Sequence, residues 1–260
     1  MSRITAAFKK GRPALVGYLT VGYPTVDTTV DACLALAEAG CDLIELGIPF
    51  SDPLADGATI QKASQAALDS GTTPQRCLDV ALRVRQKTGV PLLFMSYYNP
   101  ILAMGVEGFC ASSKQAGVDG FLVVDLPPEE GGDLEAESKA HGLDMVYLLA
   151  PTSTPERVKT VAQHSSGFIY LVSLTGVTGA RQALPPELEQ FVARVRPQTS
   201  LPLAVGFGIS SAEQAARVAR VADGVVVGSR LVQLLDEPQP LEKIKAFARD
   251  LRKALDSVKK

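Results

Sequence analysis

Short runs of apolar, often β-branched residues alternate with longer amphipathic stretches along the whole chain. The runs Ala14–Leu19, Asp42–Leu46, Pro91–Ser96, Gly120–Val124, Met145–Leu149, Phe168–Val172, Pro202–Val205 and Gly224–Val227 predict eight strands. Most are continuously apolar rather than alternating, the pattern of parallel strands covered on both faces. Between them the apolar positions follow a helical period. Val30, Cys33, Leu34 and Ala37 fall at i, i+3, i+4 and i+7 and predict one buried stripe. Thr73–Pro74 and Thr154–Pro155 each place a capping hydroxyl before a proline at the first helical position. Ser210 with Glu213 has the spacing of a capping box. Leu241, Ile244, Ala248, Leu251 and Leu255 predict a last helix with one apolar stripe, packed on the outer wall of the fold.

Strands and helices in strict alternation, with no linker or low-complexity stretch, predict a closed parallel barrel. The expectation is an α/β chain forming a single (β/α)₈ TIM barrel with a short N-terminal extension, residues 1–260 making one domain. An open doubly wound sheet is the alternative, but its nucleotide fingerprint is incomplete. Gly206-Phe207-Gly208 begins one, and Ser211 stands where its third glycine belongs.

Composition narrows the function. The chain has 260 residues, and its 26 basic and 28 acidic residues leave a formal charge of −2. With no basic run or stripe, neither nucleic acid nor an anionic membrane is an expected partner. The ligand is expected to be small. Cys33, Cys41, Cys77 and Cys110 lie far apart, and the two histidines, His141 and His164, are not close to them in sequence. Four reduced, packed thiols are therefore expected rather than a zinc site or disulfides. No secretory leader pattern or bilayer-length apolar run is seen, so the expected location is cytoplasmic.

In a barrel, chemistry sits at the C-terminal ends of the strands and in the loops that follow. Glu45 ends the second predicted strand among apolar neighbours. Burial there raises a carboxyl pKa towards the range useful for proton transfer. A structural carboxylate paired with a lysine or arginine across the barrel is the other reading. The loop beyond, Gly47 to Gly57, carries Asp52 and Asp56 between two prolines and two glycines, which should hold both carboxylates. Late in the chain, glycine-rich segments follow three strands in turn. They are Leu174 to Ala180, Gly206 to Ser210, and Gly228-Ser229. Such loops let backbone N–H groups approach an anion, and a helix beginning at Gly228 would aim its positive end there, so phosphate is expected. Tyr170 alternates inward near the end of strand 6, and Tyr18, Leu122 and Phe207 could wall an aromatic pocket.

The fourteen residues Ile44 to Gly57 (Ile-Glu-Leu-Gly-Ile-Pro-Phe-Ser-Asp-Pro-Leu-Ala-Asp-Gly) resemble the signature of tryptophan synthase α-subunits. The likeness continues through Asp125-Leu126-Pro127, Ser173 to Gly179 and Gly206 to Ser210, and spans essentially the whole chain. It implies the retro-aldol cleavage of indole-3-glycerol phosphate to indole and glyceraldehyde 3-phosphate, a lyase step of tryptophan biosynthesis. By this resemblance Glu45 takes the place of the general acid/base and Asp56 that of the carboxylate facing the indole nitrogen. Phosphate contacts fall on Gly179, Phe207, Gly208, Gly228 and Ser229. Tyr170 matches a carboxylate-positioning tyrosine, Thr178 lies in a mobile lid continuing to Pro186, and Asp125 matches a residue contacting that lid. Tyr18, Leu122 and Tyr97 line the substrate cavity. Tyr18 stands where many relatives have phenylalanine, and Ser96-Tyr97-Tyr98-Asn99 departs from a more usual Tyr-Ala-Asn pattern.

The resemblance also implies no metal and no cofactor in this subunit, with pyridoxal phosphate confined to a partner β-subunit in an α2β2 heterotetramer. The loop from Pro49 to Asp56 would lie at that contact, with Asn99 and Pro127 nearby. Two rival readings are other phosphate-binding barrels and a non-catalytic regulatory subunit. A sugar-phosphate isomerase or an indole-glycerol phosphate synthase would lack the Glu45–Asp56 pair in this frame, and the synthase would favour a strand-end lysine, absent from the eight runs. A regulatory subunit would be marked by loss of a carboxylate.

Overall fold

A computed structural model describes residues 1–172, 186–206 and 208–258. Its strands are β1 (Ala14–Thr20), β2 (Leu43–Gly47), β3 (Leu92–Ser96), β4 (Gly120–Val123), β5 (Asp144–Val146), β6 (Leu148–Leu149), β7 (Ile169–Val172), β8 (Leu203–Gly206) and β9 (Gly224–Val227). All pairings are parallel, in the order β5-β4-β3-β2-β1-β9-β8-β7-β6. The two ends of that order, β5 and β6, are consecutive in the chain and separated by Tyr147 alone. The run expected as one strand, Met145–Leu149, is thus two short pieces, one pairing with β4 and the other with β7. Tyr147 still accepts at its carbonyl from the Tyr170 N–H, 3.0 Å away. The ring of strands is therefore a nearly closed (β/α)₈ barrel.

Alternation along each strand separates two apolar layers. Ala14, Val16, Leu43, Leu93, Leu122, Val146, Ala204 and Val226, with Phe168 just before β7, meet inside the barrel. Their neighbours Leu15, Ile44, Leu46, Phe94, Phe121, Leu171, Val205 and Val227 pack outward against the helices. The N-terminal extension is a short helix, Arg3–Ala7, capped by Ser2. Its Ile4 and Ala7, with Phe8, join the interior cluster and plug the barrel at the N-terminal ends of the strands. Gly224 makes room for this plug, since a Cβ there would meet the Phe8 ring at 2.5 Å.

Beneath the barrel, Asp42 is 1% exposed and gathers Lys10 at 2.9 Å, Arg12 at 3.2 Å and Arg252 at 2.8 Å. It also accepts from the Leu15 N–H at 3.0 Å. A buried carboxylate needs this much compensation, and here it ties the last helix to the base of β1 and β2.

The caps at Thr73 and Thr154 form, accepting from the N–H groups of Arg76 and Arg157 at 3.3 and 3.2 Å. The third cap falls one residue later than its spacing predicts. Ser211 caps the helix Ala212–Ala219, and Gln214, not Glu213, reaches back to the Ser210 N–H. The first long helix, Val26–Glu38, buries Thr29, Val30, Ala32, Cys33, Ala35 and Leu36, leaving Leu34 and Ala37 at the margin of the buried face. Packing on the sheet turns this helix relative to the predicted stripe. The last helix, Pro240–Asp256, lies on the outer wall as expected, against the helices Val26–Glu38 and Ala212–Ala219. All four cysteines are buried, unpaired thiols. Among the described residues no helix is long and apolar enough to cross a membrane, and no cluster of three metal-ligating side chains occurs.

Candidate active site

Inward positions near the C-terminal ends of β1, β2 and β7 carry polar side chains where the lower layers carry aliphatic ones. Glu45 shares the face of Leu43, so alternation alone points it into the barrel. It is 1% exposed, and among the described residues its Oε1 is sealed from solvent without a hydrogen-bond partner. The alternative of an ion pair across the barrel therefore finds no cation for this oxygen among the described residues. Burial pushes the carboxyl up to about 8. At neutral pH Glu45 holds its proton and can give it away.

Two tyrosines flank it. Tyr18 on β1 is the direct cross-strand partner of Glu45, and its hydroxyl lies 3.2 Å from Thr20 Oγ1. Its ring rises past Glu45 over Gly47, where a Cβ would collide with the hydroxyl. Tyr170 on β7 does the same over Gly206. Burial and the charges of Glu45 and Asp56 raise both phenols, so both stay protonated. Leu122 is 1% exposed and belongs to the apolar layer inside the barrel.

Asp56 comes from the loop after β2, just before the helix Ala58–Asp69. Its backbone is held in turns, with the Asp56 N–H donating to Pro53 O at 3.0 Å and Gln61 Nε2 donating to Asp56 O at 2.8 Å. Tyr97 donates its hydroxyl to Asp56 Oδ2 at 3.2 Å and accepts from the Ala55 N–H at 2.9 Å. Desolvation raises Asp56 to about 6, against the lowering effect of the Tyr97 bond. At neutral pH it is mostly ionised. The two carboxylates thus differ in protonation state for two physical reasons: Glu45 is the more deeply buried, and Asp56 has a hydrogen-bond partner that Glu45 Oε1 lacks among the described residues.

Asp52, whose carboxylate is expected to be held by the same loop, instead faces solvent; its backbone carbonyl accepts from the Leu54 N–H at 2.9 Å, and its carboxylate accepts from its neighbour Ser51 at 2.5 Å. Sequence reasoning assigned Tyr97 to the cavity wall and missed its bond to Asp56. Gln61 was missed altogether. The available signals were the position of Tyr97 directly after β3 and an amide in the first turn of the helix that follows the loop.

β8 and β9 are neighbours, so the segments following them emerge side by side. Gly208 has φ +52° and Gly228 caps the helix Ser229–Leu234. Gly228 lies against Tyr18, so the N-terminus of that helix starts beside the cross-strand partner of Glu45. Thr178, Gly179 and Phe207 lie outside the described residues, as does the expected lid as far as residue 185. Asp125 accepts from the Tyr98 N–H at 2.8 Å and so anchors the start of the helix Tyr98–Met104.

The sequence profile described as "Tryptophan synthase alpha chain" matches residues 4–259. A curated protein of that name from Dehalococcoides mccartyi is 54% identical over 98% of this chain and its own whole length. Another from Chloroflexus aggregans is 48% identical over 99% of this chain and all of its own. Among solved structures, a chain of Mycobacterium tuberculosis tryptophan synthase superposes with a TM-score of 0.91 at 38% identity, covering 98% of this chain and 99% of that one. The tryptophan synthase subunit alpha of Legionella pneumophila gives 0.92 at 37% identity, over 99% of this chain and 100% of that one.

Proposed function

The chain belongs to the tryptophan synthase alpha chain family, and on that premise we propose how its two carboxylates perform the family's reaction. That reaction cleaves indole-3-glycerol phosphate into indole and glyceraldehyde 3-phosphate, a lyase step of tryptophan biosynthesis. Protonated Glu45 delivers its proton to C3 of the indole ring, leaving an indolenine cation. The Glu45 carboxylate so formed takes the proton of the glycerol hydroxyl on the carbon next to the scissile bond. That bond breaks, its electrons return to the ring, and glyceraldehyde 3-phosphate departs as the aldehyde. Glu45 ends as it began, protonated. Ionised Asp56 accepts the indole N–H while positive charge grows on the nitrogen, stabilising the charge where it develops. The observation that carries this reading is the contrast in surroundings: Glu45 Oε1 is buried without a partner among the described residues, which keeps that carboxyl protonated, whereas Asp56 Oδ2 is held by the Tyr97 hydroxyl and stays mostly ionised.

In the same reading Tyr170 orients Glu45, and Tyr18, Tyr97 and Leu122 bound the indole. The phosphate is held by Gly179, Phe207, Gly208, Gly228 and Ser229, under a lid that includes Thr178. Gly228 supports it by lying beside Tyr18, and the segment at Gly208 follows the strand next to the one that leads to Gly228. All 260 residues act as one catalytic domain in the cytoplasm. Pyridoxal phosphate belongs to a β-subunit that docks on the loop Pro49 to Asp56 in an α2β2 assembly. Leu54 supports that docking face, being 93% exposed within the loop.

The test is indole release from indole-3-glycerol phosphate by the purified chain, beside Glu45→Gln and Asp56→Asn, each with and without a β-subunit. Wild-type activity, lost in Glu45→Gln while glycerol 3-phosphate still binds, supports the assignment. A wild-type chain that binds phosphate and stimulates the partner yet releases no indole sinks it and leaves a regulatory subunit.

A further inference from the structure

Asp56 sits on a loop and must be held for its carboxylate to meet a ring nitrogen. The contact that does so comes from outside the loop. A phenol has one proton to give and lone pairs to receive. The Tyr97 oxygen already accepts from the Ala55 N–H at 2.9 Å, so its proton is free to point at Asp56 Oδ2, 3.2 Å away. The two bonds grip adjacent residues near the loop's end, one through the backbone and one through the carboxylate.

The base of this grip is itself fixed. Tyr97 is 5% exposed and is the N-cap residue of the helix Tyr98–Met104. Its carbonyl accepts from Ser96 Oγ at 2.8 Å, and the next N–H is taken by Asp125 Oδ1 at 2.8 Å. Its ring packs on Phe50 with centroids 5.0 Å apart, so the strand-2 loop touches Tyr97 at its start as well as near its end. A grip of this kind lowers the entropy lost when substrate arrives.

We propose that Tyr97 is a positioning residue for Asp56: it clamps the end of the strand-2 loop to the end of β3 through the Ala55 N–H and Asp56 Oδ2, leaving Oδ1 as the oxygen offered to substrate. The proposal rests on the reading of Asp56 as the carboxylate that faces the indole nitrogen, and it moves Tyr97 from the wall of the cavity to the control of that carboxylate. The clamp also selects a protonation state. An ionised Asp56 receives the phenol proton, whereas a protonated one would add a second donor where a single acceptor is wanted. The ionisable groups acting around this contact are Tyr18 from β1, Tyr170 from β7 and Asp125 from the loop after β4. Tyr97 is the side chain whose hydrogen bond opposes the desolvation of Asp56.

The experiment is the pH profile of kcat/KM for indole release by the full chain, as wild type, Tyr97→Phe and Asp56→Asn. Tyr97→Phe keeps the ring and loses the clamp. Its acidic limb is expected to move up by about half to one pH unit, so that activity below the limb falls about 3- to 10-fold. Installing 3-fluorotyrosine at position 97, a stronger donor of similar size, moves the limb the other way and keeps the test open if Tyr97→Phe folds poorly. Thermal melting and glycerol 3-phosphate binding check the fold of each variant. An unmoved limb in both Tyr97 variants, with Asp56→Asn inactive, overturns the clamp and leaves the role of Asp56 standing. Full activity in Asp56→Asn removes the role of Asp56 and the clamp with it.

Discussion

The hydroxyl of Tyr170 occupies the space in which a side chain on Gly206 would begin. Tyr170 and Ala204 are cross-strand partners, so the tyrosine leans along β8 towards its C-terminal end and needs a bare backbone there. Gly206 therefore serves the barrel mouth by its lack of a side chain, and this holds apart from any contact with phosphate. Gly206→Ala should cost about 1–3 kcal/mol by overpacking. It should also lower kcat by displacing Tyr170 from beside Glu45. Urea denaturation of Gly206→Ala, Tyr170→Phe and the double variant checks the pairing. Strictly additive losses would refute it, since residues in contact couple.

Glu45 should make stability depend on pH with an uncommon sign. Its folded pKa, about 8, lies above that of an unfolded glutamate. Between roughly pH 4.5 and 8 the unfolded chain has released this proton while the folded chain still holds it. Stability contributed by the group therefore falls as pH rises through that window, by about 1.4 kcal/mol per pH unit at most, and levels off above it. Glu45→Gln should flatten this slope and be more stable than wild type near pH 8. Chemical denaturation at several pH values decides it, and identical slopes in both proteins would count against a buried, unpaired carboxyl.

Activity should peak between the two carboxyl values. Asp56 must be ionised and Glu45 protonated when substrate binds, so kcat/KM should rise through about pH 6 and fall through about pH 8. The acidic limb should vanish from whatever activity Asp56→Asn retains. An alkaline limb that survives in Glu45→Gln would assign it to another group.

Leu54, 93% exposed, gives the isolated chain almost no burial energy. Leu54→Asp should leave the melting temperature within about a degree of wild type, as expected for a surface change. It should weaken binding to a β-subunit at least about tenfold if the leucine is a buried anchor of the complex. Titration calorimetry with a β-subunit measures this, and an unchanged affinity would move the docking face elsewhere.

How far the sequence carries can be seen at particular residues. The caps at Thr73 and Thr154 were legible because a hydroxyl and the proline after it act within one turn. The cap near Ser210 was misplaced by one residue, because Ser211 and Gln214 offer the same spacing and only the end of the preceding loop chooses between them. Glu45 was legible from its apolar strand, whereas Asp52 and Asp56 looked alike by loop position and were parted only by the family resemblance. The physical difference comes when Tyr97, far along the chain, reaches one and not the other.

What the sequence determined alone is local: eight apolar runs, the helices between them, the glycines after the late strands, and a carboxylate with apolar neighbours on both sides. Tertiary structure decided the rest. Closure of the ring through Tyr147, the opposition of Tyr18 and Glu45, the space over Gly47 and Gly206, and the bond from Tyr97 to Asp56 all join residues on different strands or loops. The reason is the range of the forces involved. Helical and strand periods are set by backbone geometry over a few residues, while a carboxylate's protonation depends on which groups the closed barrel brings within hydrogen-bonding distance of it.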